Sequence, residues 1–429
     1  MSQFPKDFKY GSRIPNKARD EMSRENFDRL VKDPYFCIMP WIHLHAFPDG
    51  RAYPCCLTNA NNPVGNMNQQ TMREIWNSDG MRELRLNMLE GRPSEACSRC
   101  YEQESHGFVS MRHSSSQNFG HNVALADTTN PDGSLDWFQL RYYDIRFSNL
   151  CNFRCRSCGG QFSSNWYDDE VRMYGELDRK KIMYAGRHEE DMWEQMQEHI
   201  PHLEQIYFAG GEPLIMEEHY RLLNELIKRE MFHVRLLYNT NFSQLRYKKQ
   251  DVLELWKQFD SVSIGASLDG MGPRGEYIRK GTIWADIERN RERMLEVCPS
   301  IDFYVSPTLS IMNAYHLPDF HRDWVSKGFL RPQDLNVNIL QDPMHYRIDV
   351  LPLDEKMRVQ ERYLEHLEWL RPQDHLGRAT SGYESAIKFM FENDNSHLIR
   401  QFFLYTDRLD IVRDEKFDDI FPELRGMRK

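Results

Sequence analysis

From about residue 138 to 345 the chain alternates short runs rich in β-branched and aromatic residues with longer stretches whose apolar positions recur at helical spacing. The short runs predict strands at 138–148, 205–211, 234–239, 261–267, 302–310 and 335–340. The stretches between them predict helices at 163–200, with Ser163 or Ser164 as N-cap, and at 216–230, 247–258, 283–297 and 317–327. Strands and helices alternating in this way imply an α/β fold of parallel βαβ units with right-handed crossovers. Such units form either a doubly wound sheet or an incomplete barrel, and periodicity does not choose between them. In both, functional groups gather where strands end and loops begin.

The flanks differ. Residues 1–130 are turn-rich and irregular, with helical patterns near 19–32 and 71–90, and DTTNPDGS at 127–134 reads as a linker. Residues 351–429 read as a helical extension, since LDEKMRVQERYLEHLEWL carries apolar residues at helical spacing. The expected domains are therefore 1–130, 135–350 and 351–429.

Composition narrows the function. The net charge of −10 gives no overall attraction to a phosphate backbone, so nucleic acid is not an expected partner. No apolar run is long enough to span a bilayer, and the first residues lack the apolar stretch of a signal peptide. A cytoplasmic location without a membrane partner is expected. There, clustered cysteines bind metal more often than they pair. Of the nine cysteines, Cys56 and Cys298 read as small hydrophobes, and the other seven fall into groups.

The sequence NLCNFRCRSCGG sets Cys151, Cys155 and Cys158 in C-x3-C-x2-C spacing directly after the first strand. A compact loop of this kind can aim three thiolates at three corners of one cubane and leave the fourth iron open. A zinc site, which usually takes paired C-x2-C knuckles, and three unrelated core cysteines are the alternatives. The second strand ends in Gly210-Gly211-Glu212-Pro213, where two glycines permit close approach to a ligand.

On these residues the chain resembles the radical S-adenosylmethionine (SAM) superfamily. The resemblance implies a partial (β/α)6 TIM-like barrel over 135–350. It implies a catalytic 4Fe–4S cluster on Cys151, Cys155 and Cys158, with SAM chelated at its open iron. Reductive cleavage of SAM would then give a 5′-deoxyadenosyl radical that takes hydrogen from a substrate. In that family the GGEP element holds the amino group of the methionine moiety. Ser157 departs from the pattern, standing where the family usually has an aromatic residue against the adenine. Ser267-Leu268-Asp269-Gly270 and Arg279 are similar to a segment of peptide-modifying members. That places Ser267, Asp269 and Arg279 near the ribose and carboxylate of SAM. Asn239 and Asn241 occupy the place of the family's TNG segment. Asp342, His345, Tyr346 and Arg347 follow the sixth strand and read as a polar loop.

Cys37, Cys55, Cys97 and Cys100, with Gly50 five residues before Cys55, resemble the twitch domain, a shortened SPASM auxiliary-cluster domain. Four thiolates would fully ligate a second 4Fe–4S cluster, suited to electron transfer or substrate placement. A structural four-cysteine zinc site is the alternative. Here the module precedes the barrel, whereas in familiar members it follows. His43 and His45, between the first two of these cysteines, read as packed or solvent-facing residues and not as ligands. The resemblance implies an oxidoreductase or maturase with an external electron donor such as flavodoxin or ferredoxin. The implied substrate is a peptide or protein, with a nucleotide, RNA or aminosugar as the alternative. A non-enzymatic zinc scaffold is the competing class.

Overall fold

The structure, a computed structural model, describes residues 13–16, 22–105 and 109–428. The chain divides into two compact units, one of residues up to Ser148 with Tyr184–Tyr207, the other of Asn149–Met183 with the chain from Phe208 onward. Both are α/β with parallel strands. Among the described residues no helix is long and apolar enough to cross a membrane.

In the first unit the helix Arg24–Lys32 starts at Ser23, whose hydroxyl accepts from Asn26 N. Its expected start at 19–21 lies outside the described residues. The strands β1 (His43–Ala46), β2 (Arg51–Tyr53) and β3 (Gly65–Asn66) form an antiparallel ladder. The turn between β1 and β2 depends on Gly50 at φ +85°, a conformation that costs glycine nothing. On its other edge β1 runs parallel to β4 (Tyr142–Ile145), with His43 opposite Tyr142 and Ala46 opposite Ile145. β4 in turn pairs in parallel with the start of β5 (Gln205–Phe208). The strand expected at 138–148 is thus shorter, and β1 is an addition that its two histidines concealed.

The helical pattern at 71–90 breaks into Met72–Trp76 and Asp79–Leu89, the first closed by a Thr71/Glu74 capping box. Residues 127–134, read as a linker, pack against the second of these helices. A Cβ on Gly133 would lie 2.4 Å from the Arg82 carbonyl oxygen. The buried Arg85 donates to the carbonyls of Pro40 and Gly133 and lies 4.8 Å from the Trp76 ring centroid.

The second unit is built on β6 (Arg235–Thr240), β9 (Val262–Ala266) and β10 (Asp302–Val305), all parallel, with β9 central. Between β6 and β9 lies the hairpin of β7 (Arg246–Tyr247) and β8 (Gln250–Asp251). This corrects the helix expected at 247–258. Lys248 takes φ +53° in the turn and Asp251 caps the short helix Val252–Trp256. The helices Glu217–Lys228, Trp284–Val297 and Leu317–Ser326 match expectation. The single helix expected at 163–200 does not form. It is Trp166–Tyr174, then irregular chain, then Asp191–Met196, broken by Gly175 at φ +90° and Gly186 at φ +135°.

The expected strand 302–310 splits at Pro307, which has no N–H to donate. Its second half, β11 (Thr308–Leu309), pairs with β12 (Asn338–Ile339), and these two strands form a separate two-stranded sheet. The C-terminal region is helical: Leu353–Leu370, Arg378–Glu392 and Ile399–Arg413.

In the first unit Glu204 ties β5 to the segment before β4. His121 Nε2 lies 2.7 Å from Oε2, and Asn122 and Arg141 each donate to Oε1 at 3.1 Å. Burial alone would raise this carboxyl, but the three bonds and the adjacent charges outweigh it and hold its pKa at about 2. A depressed carboxylate stabilises fully above its ordinary value of 4.5 and loses that contribution as pH falls toward 2. Glu204→Gln is therefore expected to cost about 1–2 kcal/mol at neutral pH. Urea midpoints of variant and wild type should converge as pH drops below about 4.

Candidate active site

The chain leaves β4 and enters the three-cysteine loop, which has little regular hydrogen bonding of its own. Asn149 closes its base: the side-chain amide donates to the carbonyls of Gly160 (2.8 Å) and Lys181 (3.1 Å) and accepts from Met183 N (2.9 Å). Ser163 donates to Phe153 O, the Ser164 hydroxyl accepts from Cys151 N at 3.3 Å, and Trp166 Nε1 donates to Cys155 O at 2.8 Å. The two serines are therefore spent on the loop and cap no helix. The residue ahead of Trp166–Tyr174 is Asn165. Arg154 N and Arg156 N donate to Lys280 O (2.9 Å) and Ile278 O (2.8 Å), binding the loop to the segment that carries Arg279.

The GGEP turn docks against the start of this loop. Gly211 has φ +39°, and a Cβ there would sit 2.2 Å from Leu150 O, while Glu212 N donates to that same oxygen at 2.8 Å. Gly210 is also left-handed, at φ +75°, and Pro213 opens a single turn of 3-10 helix. Glu212 is 1% exposed. Its Oε1 accepts from Leu214 N (3.0 Å) and Thr240 Oγ1 (2.7 Å), and its Oε2 from Asn241 N (2.6 Å). Burial pushes this carboxyl up to about 7 against those bonds. Asn241 reaches Asn152 in the cysteine loop at 2.8 Å. Asn239 sits on β6 opposite Gly265, whose missing side chain leaves room for it. Sequence reasoning missed Thr240 and Asn152; a polar residue closing an apolar strand was the available signal for Thr240.

Ser267 is half-buried after β9, its N–H donating to Thr240 O at 2.8 Å. Asp269 and Arg279 form a buried pair, with Nη2 to Oδ1 at 2.9 Å and Nε to Oδ2 at 2.8 Å. Asp269 Oδ1 also accepts from Thr308 N at 2.7 Å. The remaining arm of Arg279, Nη1, lies 3.8 Å from Cys155 Sγ. Arg279 thus faces a loop sulfur while held by a carboxylate. Burial raises the Cys155 thiol, with Arg279 opposing, and pushes Cys158 up to about 12. Cys298 lies among the charges of Lys257, Arg291 and Glu254, so it adds no fourth thiol to this loop. The polar loop after β12 divides: His345 stacks on Tyr405 and Arg347 pairs with Asp349, whereas Tyr346, edge-on to Phe402, interacts with Arg156 of the cysteine loop.

In the first unit, Cys37, Cys55, Cys97 and Cys100 line one cavity, whose walls include Met39, Pro40, Leu84 and Met88, with Arg112 at its edge. Cys97 and Cys100 share a face because they are three residues apart across a helix start. Cys56 does not line the cavity. Burial pushes Cys37 up to about 11 and Cys97 to about 12. His43 and His45 are fully buried on β1 and stay out of it: His43 Nδ1 is 3.0 Å from Tyr142 O, and His45 Nδ1 is 3.1 Å from Asp144 Oδ2.

Sulfurs around one tetrahedral zinc would lie about 3.8 Å apart. Among the described residues the one group of three donors all within 4.8 Å is His188, Asp191 and Glu194. Asp191 of the tight group is already engaged by Arg187. The close approach at Gly211 gives a test: Gly211→Ala should cost about 2–3 kcal/mol in urea unfolding.

Residues 37–101 match the profile of an iron–sulfur cluster-binding domain, SPASM, and residues 145–308 match that of the radical SAM superfamily. No curated protein matches the chain. Among solved structures, native anSMEcpe with bound AdoMet is similar at 19% identity over 52% of this chain and 57% of that one, with a TM-score of 0.35. Native anSMEcpe with bound AdoMet and Cp18Cys peptide is similar at 16% identity over 53% of this chain and 59% of that one, TM-score 0.34. The chain thus spans less than two thirds of those proteins' length. By its two domain matches the chain carries a radical SAM domain over residues 145–308, with the three-cysteine loop inside it, and an iron–sulfur cluster-binding domain ahead of it over residues 37–101.

Proposed function

We propose that the chain is a radical SAM enzyme whose catalytic 4Fe–4S cluster is held by Cys151, Cys155 and Cys158. The observation that carries this is a loop of three half-buried thiols with no fourth cysteine beside them, inside the radical SAM match. The donor set fits a cluster with one open iron. When bound, that cluster supplies the electron that cleaves SAM to methionine and a 5′-deoxyadenosyl radical, which takes a substrate hydrogen. Cys37, Cys55, Cys97 and Cys100 suit a second, fully ligated 4Fe–4S cluster that assists electron transfer.

The chain's own residues supply orientation, charge and dryness. Asn149, Ser163, Ser164 and Trp166 hold the thiol loop in shape. Gly211 lets the GGEP turn lie directly on it, where Gly210 and Gly211 offer backbone to the methionine end of SAM. Glu212 fixes Thr240 and Asn241, so its role is to set that turn as much as to meet ligand. Arg279 places a positive charge beside Cys155 and stabilises negative charge on that sulfur. Its two bonds to Asp269 leave Nη1 as the arm facing the loop. Ser267 and Asn239, at the ends of neighbouring parallel strands, are placed for the ribose side. As substrate class we propose a peptide or protein segment, supported by the likeness of Ser267–Gly270 and Arg279 to peptide-modifying members. The electron comes from an external donor such as flavodoxin or ferredoxin.

Anaerobic reconstitution should give about eight irons per chain and, with dithionite and SAM, 5′-deoxyadenosine detectable by mass spectrometry. Replacing all three loop cysteines by alanine should leave about four irons and abolish 5′-deoxyadenosine. A colourless chain containing zinc and no iron would rule the proposal out. Cys56→Ser should retain the full iron content, whereas Cys55→Ser should lose about four irons.

A further inference from the structure

The segment that holds the catalytic loop most firmly lies about 250 residues downstream of it, beyond the radical SAM match. Two arginines sit between the loop cysteines, and neither is left to solvent. The Arg156 side chain is 1% exposed. Its Nη2 meets Asp410 Oδ1 and lies 2.7 Å from Glu415 Oε2, and its guanidinium lies 3.7 Å from the centroid of the Tyr277 ring. Tyr277 OH donates to the same Asp410 Oδ1 at 2.7 Å, and Phe417 N donates to Asp410 Oδ2 at 2.6 Å. Lys280 Nζ reaches the other oxygen of Glu415 at 2.8 Å.

Arg154 is held by a second chain of contacts. It donates to Asp169 Oδ1 at 2.7 Å, and the fully buried Arg413 donates to Asp169 Oδ2 at 2.8 Å while lying 4.8 Å from the Trp166 ring centroid. That same Trp166 bonds the Cys155 carbonyl. Asp414, at φ +53°, ends the helix Ile399–Arg413 and turns the chain so that Glu415 points back at Arg156. Asp410, Arg413 and Glu415 thus grip the loop at both inter-cysteine arginines. A buried ion pair is weak evidence for overall stability, yet losing one partner leaves an uncompensated buried charge. The grip is therefore stiff where the thiols need fixed positions.

We propose that the C-terminal segment Thr406–Phe417 is the positioning element of the catalytic loop, with Asp410 and Glu415 fixing Arg156 and Arg413 fixing Arg154 through Asp169. Asp410, Arg413 and Glu415 are positioning residues: they act on the thiols through the two arginines. The proposal rests on the reading of Cys151, Cys155 and Cys158 as cluster ligands.

The test uses the full-length reconstituted protein, exposed to an iron chelator and iodoacetamide, with modification of each cysteine followed by mass spectrometry. The isosteric double variant Asp410→Asn/Glu415→Gln should raise alkylation of Cys151, Cys155 and Cys158 about tenfold through local opening. Cys298, buried in the same unit, and the five cysteines of the first unit should keep their wild-type rates. Arg156→Met should behave alike, and combining it with the double variant should add little, since both break one link. Unchanged loop rates would overturn the proposal. So would an equal rise at Cys298, because that would report general loosening of the unit. A wild-type chain that takes up no loop iron would instead sink the enzyme reading, while the alkylation rates still report on the grip.

Discussion

Three thiols must stand at fixed positions on a stretch of chain that is neither helix nor strand. Few backbone groups there satisfy one another, Cys158 N to Cys155 O being one such bond, and burying the others unpaired is costly. The structure resolves this by borrowing. The loop's amides go to Ile278 and Lys280, its carbonyls to Ser163, Trp166 and the Asn149 amide, and the GGEP turn seals its start through Leu150. These partners come from the chain on either side of the loop, from the segment 278–280 and from the GGEP turn, all in the second unit. The loop's shape is therefore a property of that whole unit, and the single glycine that admits the closest approach, Gly211, is the position with the least freedom to vary.

Charge follows the same logic. Around the loop, Arg154, Arg156, Arg279, Lys280 and Arg413 face Asp169, Asp269, Asp410 and Glu415. Each of these charges has a partner of opposite sign, while Glu212 and Glu170 add negative charge near Cys151 and Cys158. Burial raises the three thiols, and Arg279 opposes that rise at Cys155 and Cys158. The four-cysteine cavity is built differently. Its walls are mainly apolar and proline-rich, with Arg112 as the charged exception, itself paired to Glu104. One site manages charge by ion pairing and the other mostly by exclusion of water. That contrast matches the division proposed between a site that must admit a charged cosubstrate and one that need only hold a closed group.

Cysteine spacing and GGEP were legible because they are local: ligands four and three residues apart, then a two-glycine turn after a strand. The helices Glu217–Lys228, Trp284–Val297 and Leu317–Ser326 were legible for the same reason, each having one clear apolar face. What stayed hidden is long-range or set by a single torsion. Lys248 in a left-handed turn converts the front of an expected helix into a hairpin, and nothing in the surrounding periodicity announces it. β1 escaped notice because His43 and His45 look polar, although both are buried against β4 with backbone or carboxylate partners. Nothing local marks Arg156 for burial, since its partners Asp410 and Glu415 lie about 250 residues away.

This last case shows why residues next to the loop cysteines, proposed as cluster ligands, are poorly judged by type. An arginine flanked by two cysteines, one immediately before it and one two residues after, has a backbone committed to the loop, so its side chain has few directions to take. If it pointed to water it would add mobility exactly where the thiols need none. Burying it removes that mobility but demands carboxylates, and no acidic residue of the loop is free to serve. They must come from another element, and a helix ending in a left-handed turn at Asp414 can present one from its last turns and one just past its end. The helix Ile399–Arg413 does so with Asp410 and Glu415, while its last residue, Arg413, reaches the second arginine's partner. The position of this helix is therefore dictated by the chemistry of a loop formed much earlier in the chain.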